Sequence, residues 1–310
     1  MAEIRLFPPK GVYAASLTPM KKDLSVDHDR LAAHCRWLLQ NGCDGLVILG
    51  TTGEANSLSV TERIDLIETL VESGLPAHRL IVGTGCCAVP DTQTLTEHAL
   101  RCGVGGVLIL PPFYYKRVTD DGLFAVFDKV IQHAGNSRLK IYLYHFPQMS
   151  GIPFSDTLIE RFLSVYPGTI AGIKDSSGDW NHMKTLCQTF PDFEVFAGTE
   201  KFLLDILKAG GVGCISATAN VTCRLIGEIY AKWKTEDVHA LQERLTRIRQ
   251  AFESYSFVPA LKVLMADWTD DPSWENMRPP HVPLKEEEAE ALKTALKNLD
   301  FQPEIRTHVP

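Results

Sequence analysis

Eight short apolar runs, each followed by a stretch of helical periodicity, return about every 30 residues, and this spacing limits the fold more than any other feature. The runs are "VYAASLTP" from Val12, "GLVILG" from Gly45, "RLIVGTG" from Arg79, "GVLILPP" from Gly106, "KIYLYHFP" from Lys140, "IAGIKD" from Ile170, "FEVFAGT" from Phe193 and "GVGCISATAN" from Gly211. Most are apolar on successive residues, as strands buried on both faces are. The segment "LSVTERIDLIETLVESG" shows the helical pattern between them: Ser59 and Glu62 fit a capping box, Ile64, Ile67, Leu70 and Val71 form a stripe, and Gly74 is a stop. "DTQTLTEHALRCG" repeats the scheme with Leu95, Ala99 and Cys102 on one face and Gly103 at the end. Eight such units predict an α/β fold, a closed (β/α)8 TIM barrel. A doubly wound open sheet competes, but it usually carries a GxGxxG or P-loop turn, and the sequence has neither.

After about residue 222 the strand pattern stops. "LIGEIYAKWK", "VHALQERLTRIRQAFESY", "VPALKVLMADW" and "LKEEEAEALKTALKNL" read as helices, with Pro279, Pro280 and Pro283 interrupting before the last. We expect a barrel over residues 1–222 and a C-terminal helical appendage over residues 223–310, disordered only after Asp300.

A net charge of −7 without a long basic run argues against a nucleic-acid partner, though not against a small anion met by local donors. No stretch approaches the roughly 18 apolar residues of a membrane helix. The opening "MAEIRLFPPK" lacks the apolar core of a signal peptide, so a cytoplasmic location is expected. The eight cysteines include no CxxC pair and read as reduced thiols. The ten histidines show no HExxH-like spacing, and no metal or organic cofactor is expected.

In such a barrel, chemistry collects at the carboxyl ends of the strands. There the chain places "GTTGE" (Gly50–Glu54), "PPFYYK" (Pro111–Lys116), "YHFP" (Tyr144–Pro147) and, in "AGIKDSSGD", Lys174. Burial disfavours the charge of a lysine in an apolar barrel mouth, which leaves a nucleophile able to form a Schiff base with a ketone. A snorkelling stem or a salt bridge to Asp175 would account for the same residue. The consecutive N–H groups of "GTTGE" can cradle a carboxylate or phosphate, or form an ordinary tight turn. Tyr144 can relay protons or pack as a core aromatic, and Tyr114 and Tyr115 can serve packing or an interface.

Taken in order, "GTTGE", "PPFYY", "YHFP" (for the usual YNxP), "GIKDSSGD" and "GVGCISATANV" resemble the pyruvate-dependent class I aldolase family that includes dihydrodipicolinate synthase and N-acetylneuraminate lyase, from about Val12 to Leu299. The resemblance implies that Lys174 forms the Schiff base with pyruvate or a 2-oxo acid. It makes Tyr144 the proton shuttle and Thr51 the link to a second tyrosine, Tyr114, which reaches into a neighbouring subunit. Thr51 and Thr52 would bind the 2-oxo carboxylate, and the Ile215 carbonyl would line the site. The family is typically a tetramer of paired dimers and needs no cofactor.

Some positions depart from that family. Met149 stands where dihydrodipicolinate synthases place an arginine for the aldehyde's carboxylate, while neuraminate lyases are apolar there. His145 replaces an asparagine, and Cys87, Arg63 and Val60 replace polar residues of a lysine feedback site. Gly198 and Glu200, in "GTEK", fall where sugar-acid lyases hold hydroxyls, and Lys201 beside them can meet a distal carboxylate. The leading expectation is therefore an aldolase or lyase of 2-oxo-3-deoxy sugar acids. The alternatives are a 4-hydroxy-tetrahydrodipicolinate (dihydrodipicolinate) synthase, a dehydratase of the same acids, and a non-enzymatic 2-oxo acid binder.

Overall fold

The computed structural model describes residues 10–302. The eight apolar runs form eight parallel strands: β1 (Gly11–Ala15), β2 (Gly45–Ile48), β3 (Leu80–Gly83), β4 (Gly106–Ile109), β5 (Ile141–His145), β6 (Ile170–Asp175), β7 (Glu194–Ala197) and β8 (Gly213–Ser216). They pair in chain order and close when β8 meets β1, with Tyr13 opposite Ile215. The expected (β/α)8 barrel is the fold, and the open sheet is excluded because no sheet edge remains unpaired.

Successive apolar residues on each strand serve two cores. One set, including Tyr13, Val47, Ile81, Leu108, Tyr142, Tyr144, Phe196 and Ile215, fills the barrel interior. The alternate set, including Val12, Leu46, Leu80, Val107, Leu143, Ile173, Val195 and Cys214, packs under the helices. Tyr13 and Tyr142 meet Phe196 edge-on at 5.5 and 5.8 Å and plug the interior below the mouth. Gly45 leaves room for that plug: a Cβ there would lie 2.2 Å from the Tyr13 ring.

The helices of the wall are α1 (His28–Gln40), α2 (Val60–Glu72), α3 (Val89–Arg101), α4 (Asp120–Ala134), the single turn α5 (Pro147–Ser150), α6 (Asp156–Val165), α7 (Trp180–Thr189), α8 (Leu203–Lys208) and α9 (Ala219–Lys232). The capping box of α2 forms as expected, with the Ser59 N–H donating to Glu62 at 2.9 Å. Its buried face is Arg63, Leu66, Ile67 and Leu70; of the expected stripe, Ile67 and Leu70 are buried, Val71 packs half-buried against the same core, and Ile64 is half-buried. The Arg63 guanidinium reaches the Ala55 carbonyl, which also accepts the Leu58 N–H at 3.1 Å.

The boundary expected at residue 222 falls inside α9, which packs on β1 and β8 as the last helix of the wall. We therefore place the start of the appendage after Lys232. It comprises α10 (Val238–Phe252), α11 (Phe257–Thr269) and α12 (Glu286–Asn298), whose core joins the barrel through Leu17 and Val221. Beyond Asp300, Phe301 is buried against Trp268, with ring centroids 6.0 Å apart, so the tail is ordered there. The rest of the expected disordered tail and most of the opening segment lie outside the described residues. No described helix is long and apolar enough to cross a membrane.

Candidate active site

Lys174 and Tyr144 are register partners on β6 and β5, and both point into the barrel mouth. Lys174 is 4% exposed. Its Nζ lies 3.4 Å from the Tyr144 hydroxyl and 4.4 Å from the centre of the Tyr144 ring. The Tyr144 hydroxyl in turn lies 3.4 Å from Thr51 Oγ1. The amine, phenol and alcohol thus form one chain of exchangeable protons. Among the described residues, no carboxylate pairs with Lys174. Asp175 is one residue on and faces the opposite side of the strand, where it binds His182 at 2.6 Å. That excludes the salt-bridge reading of the lysine.

The mouth is a cavity of about 480 Å³ that holds Thr51, Thr52, Tyr144, Met149, Lys174 and Gly198 together. Gly198 is needed there, since a Cβ would lie 2.1 Å from Ser176 Oγ and 2.6 Å from the Asp175 carbonyl. Ile215, Tyr114 and Glu200 are not in this group. The Ile215 side chain is buried in the barrel interior. Tyr114 is 74% exposed, stacks edge-on with Tyr115, and is not brought to the site of its own chain. Glu200, expected to accept substrate hydroxyls, is turned beneath the mouth. Ser216 and Thr218 donate to its two carboxylate oxygens, and Arg249 pairs with it at 3.3 Å. A fully buried carboxylate needs such partners, and they leave it no reach into the cavity.

The turn that carries Thr51 and Thr52 is anchored from behind. Glu54 sits in the left-handed backbone region with φ of +54° and sends its carboxylate inward. It meets Lys262 of α11 at 2.5 Å, and Lys262 also donates to the Asn276 carbonyl at 2.8 Å. Burial pushes the pKa of Lys262 down, while Glu54 opposes that shift. Arg278 adds a bond to the Ser57 carbonyl at 2.7 Å. The Thr18 hydroxyl donates to the Gly53 carbonyl at 2.8 Å.

On the outer face of β5 and β6, His145, Asp175 and His182 come together. His145 stacks on His182 with centroids 4.5 Å apart. Burial lowers the pKa of His145, so its ring is neutral. Its Nδ1 accepts the Phe154 N–H at 3.2 Å, which puts the ring proton on Nε2. Asp175 accepts from Ser177 and His182 on its two oxygens. Burial pushes the Asp175 pKa up, but these bonds outweigh it and hold the carboxyl below its usual range. The bond to Asp175 raises His182. Nδ1 of His145 and both oxygens of Asp175 thus already accept hydrogen bonds, which hold the three side chains as one packed cluster.

The cavity also includes Phe146, Phe202, Arg249, Glu253, Phe257 and His281. Phe146 lies inside the YHFP motif. Arg249 to His281 come from the appendage, outside the βα repeats, and no strand-end rule points to them.

A profile of the dihydrodipicolinate synthetase family matches residues 8–299. The chain is 36% identical to an uncharacterised DapA-like lyase of Chloroflexus aurantiacus over 297 residues, 94% of this chain and 97% of that one. It superposes on the crystal structure of dihydrodipicolinate synthase from Agrobacterium tumefaciens with a TM-score of 0.87 and 31% identity, covering 93% of this chain and 99% of the other. YagE, an E. coli K12 prophage protein of the dihydrodipicolinic acid synthase family solved in complex with pyruvate, gives a TM-score of 0.86 at 27% identity over 94% and 99% of the two chains.

Proposed function

The chain belongs to the dihydrodipicolinate synthetase family of class I aldolases and lyases, and from that premise we propose that Lys174 forms a Schiff base with pyruvate or a 2-oxo acid. The observation that carries this reading is the chain of contacts from Lys174 Nζ through the Tyr144 hydroxyl to Thr51 Oγ1, 3.4 Å at each step. The amine adds to the ketone carbon, and Tyr144 delivers a proton to the oxygen that becomes the hydroxyl of the carbinolamine. Loss of water gives the imine. In a 2-oxo-3-deoxy acid the imine then accepts the electron pair of the C3–C4 bond as that bond breaks. The C4 hydroxyl loses its proton, an aldehyde leaves, and the enamine is reprotonated at C3. Hydrolysis frees pyruvate and the lysine. The N–H groups and hydroxyls of Thr51 and Thr52 hold the carboxylate and fix the ketone over Nζ.

Cleavage or formation of a 2-oxo-3-deoxy sugar acid remains the reading we favour. The exposed, apolar Met149 at the mouth supports it over a synthase that needs a cation at that place. Dehydration of the same acid would use the same imine with water as the leaving group. Binding without turnover is least consistent with an assembled Lys174–Tyr144–Thr51 chain. The exposed pair Tyr114 and Tyr115 suits the family's habit of lending a tyrosine to a neighbouring subunit, and we propose a cytoplasmic homotetramer. Borohydride reduction in the presence of pyruvate, followed by peptide mass mapping, tests the central step. The expected adduct is on Lys174, and a folded protein without one overturns the reading.

A further inference from the structure

Arg249 is nine-tenths buried at the far wall of the catalytic cavity, yet only one side of its guanidinium is satisfied. All of its hydrogen bonds to the described residues run through Nη1, to Glu200, Ser216 and Thr218 at 3.2–3.3 Å. The face of the guanidinium lies over the Phe257 ring at 4.2 Å, which fixes the plane of the group. Its Nε is buried without a hydrogen-bond partner among the described residues. An arginine held this way presents the Nε–Nη2 edge, the fork that takes a carboxylate through two parallel bonds. A carboxylate oxygen of Glu253 lies 3.9 Å from Nε, too far for a hydrogen bond. Glu253 leans instead on Lys201, at 2.7 Å, and is itself 40% exposed. Lys201, Arg249 and Glu253 all line the cavity that contains Lys174.

We infer that Lys201 and Arg249 form a second carboxylate-reading subsite, and that the Glu253 side chain holds the place a substrate carboxylate takes. This rests on the Schiff-base reading and narrows it to a class of substrate. The acid carries a carboxylate at each end, one on the Thr51–Thr52 turn and one on Lys201 and Arg249, so that cleavage yields pyruvate and an aldehyde bearing a carboxylate. Glu253 can swing into solvent, whereas Glu200 cannot. An incoming carboxylate therefore meets two cations balanced by one fixed anion. The subsite is distinct from the strand-5 corner of the mouth, where Met149 offers no charge.

The test uses the full-length protein with pyruvate and two acceptor series, ω-oxo carboxylates of three to five carbons and unbranched alkanals of the same lengths. The readout is the ratio of kcat/KM for the charged over the neutral acceptor. Imine trapping on wild-type Lys174 is measured first, so that its failure disposes of the Schiff-base reading and of this inference with it. With trapping intact, the ratio at the best length is expected to be at least tenfold and to fall toward one in Lys201→Met and Arg249→Lys. In Glu253→Gln, which removes the competing carboxylate, it is expected to rise at least threefold. A structural ion pair alone would not produce that rise. A wild-type ratio near one, an unchanged ratio in Lys201→Met, or a fall in Glu253→Gln overturns the inference. Lys201 is a partly exposed side chain, so its variant gives a decision even if Arg249→Lys does not fold.

Discussion

Glu54 and Lys262 form an ion pair of 2.5 Å with both side chains sealed from solvent, and the pair joins the Gly50–Glu54 turn of the barrel to α11 of the appendage. Replacing one member leaves the other as an uncompensated buried charge. Lys262→Met is therefore expected to lose about 3–5 kcal/mol of stability, whereas Glu54→Leu combined with Lys262→Met lies much nearer wild type. Denaturant midpoints decide the order. A single variant as stable as the double one would contradict it. The double variant, lacking the anchor of the turn, is also expected to show a raised KM for pyruvate.

Tyr144→Phe keeps the ring against Lys174 but removes the proton relay. Imine formation is expected to slow by about 10²–10⁴-fold, the usual scale of a general acid–base contribution. Lys174→Ala is expected to give no borohydride adduct at all. Stopped-flow absorbance of the imine separates the two effects. An unchanged rate in folded Tyr144→Phe would remove the tyrosine from the mechanism.

His34 is fully buried, with Nε2 2.8 Å from the Asn220 side-chain oxygen, and burial pushes its pKa down to about 4. The unfolded chain, with an ordinary imidazole near 6.5, binds the proton first as the solution is acidified. This group's contribution is therefore complete above pH of about 6.5 and is withdrawn between there and about 4, by a total of about 3 kcal/mol. Urea unfolding at several pH values should show a shallower acid slope in His34→Gln than in wild type. Identical slopes would mean that another group controls the acid limit.

The imidazoles of His145 and His182, though stacked, are expected to titrate on opposite sides of the ordinary value. Burial lowers His145, and the bond to Asp175 raises His182. The Asp175–His182 pair therefore stabilises the fold between the carboxyl's depressed pKa and the imidazole's raised one, and is lost outside that window at either end. Nitrogen-detected NMR titration of Asp175→Asn should show His182 falling toward His145. If His182 stays high in that variant, Asp175 is not what raises it.

Much of this was readable from the residues alone because a parallel strand announces itself as an apolar run, and the run's end locates the mouth. Lys174, Tyr144 and Thr51 were placed by that rule. Glu200 obeys the same rule but turns the wrong way. One step along the strand end decides whether a side chain faces the cavity or the layer beneath, and Ser216, Thr218 and Arg249 draw this one under. In α2 the expected stripe holds at Ile67 and Leu70, and apolar periodicity does not show that Arg63 joins the buried face, its guanidinium bonded to the Ala55 carbonyl. Arg249, Glu253 and His281 reach the mouth from helices and loops beyond the repeat, where no periodicity marks their destination.

The alternation along β5 and β6 separates two kinds of chemistry by the thickness of one backbone. Tyr144 and Lys174 stand on one side; His145 and Asp175, the next residue in each strand, stand on the other. A slip of β6 by a single residue would deliver an acid into the mouth and drive an ammonium under the helices. Closure makes such a slip difficult, because β6 is held in register by β5 and β7 at once, and those by every other stave of the ring. Lys174 is kept apart from the nearest carboxylate in its own sequence by topology, not by distance along the chain.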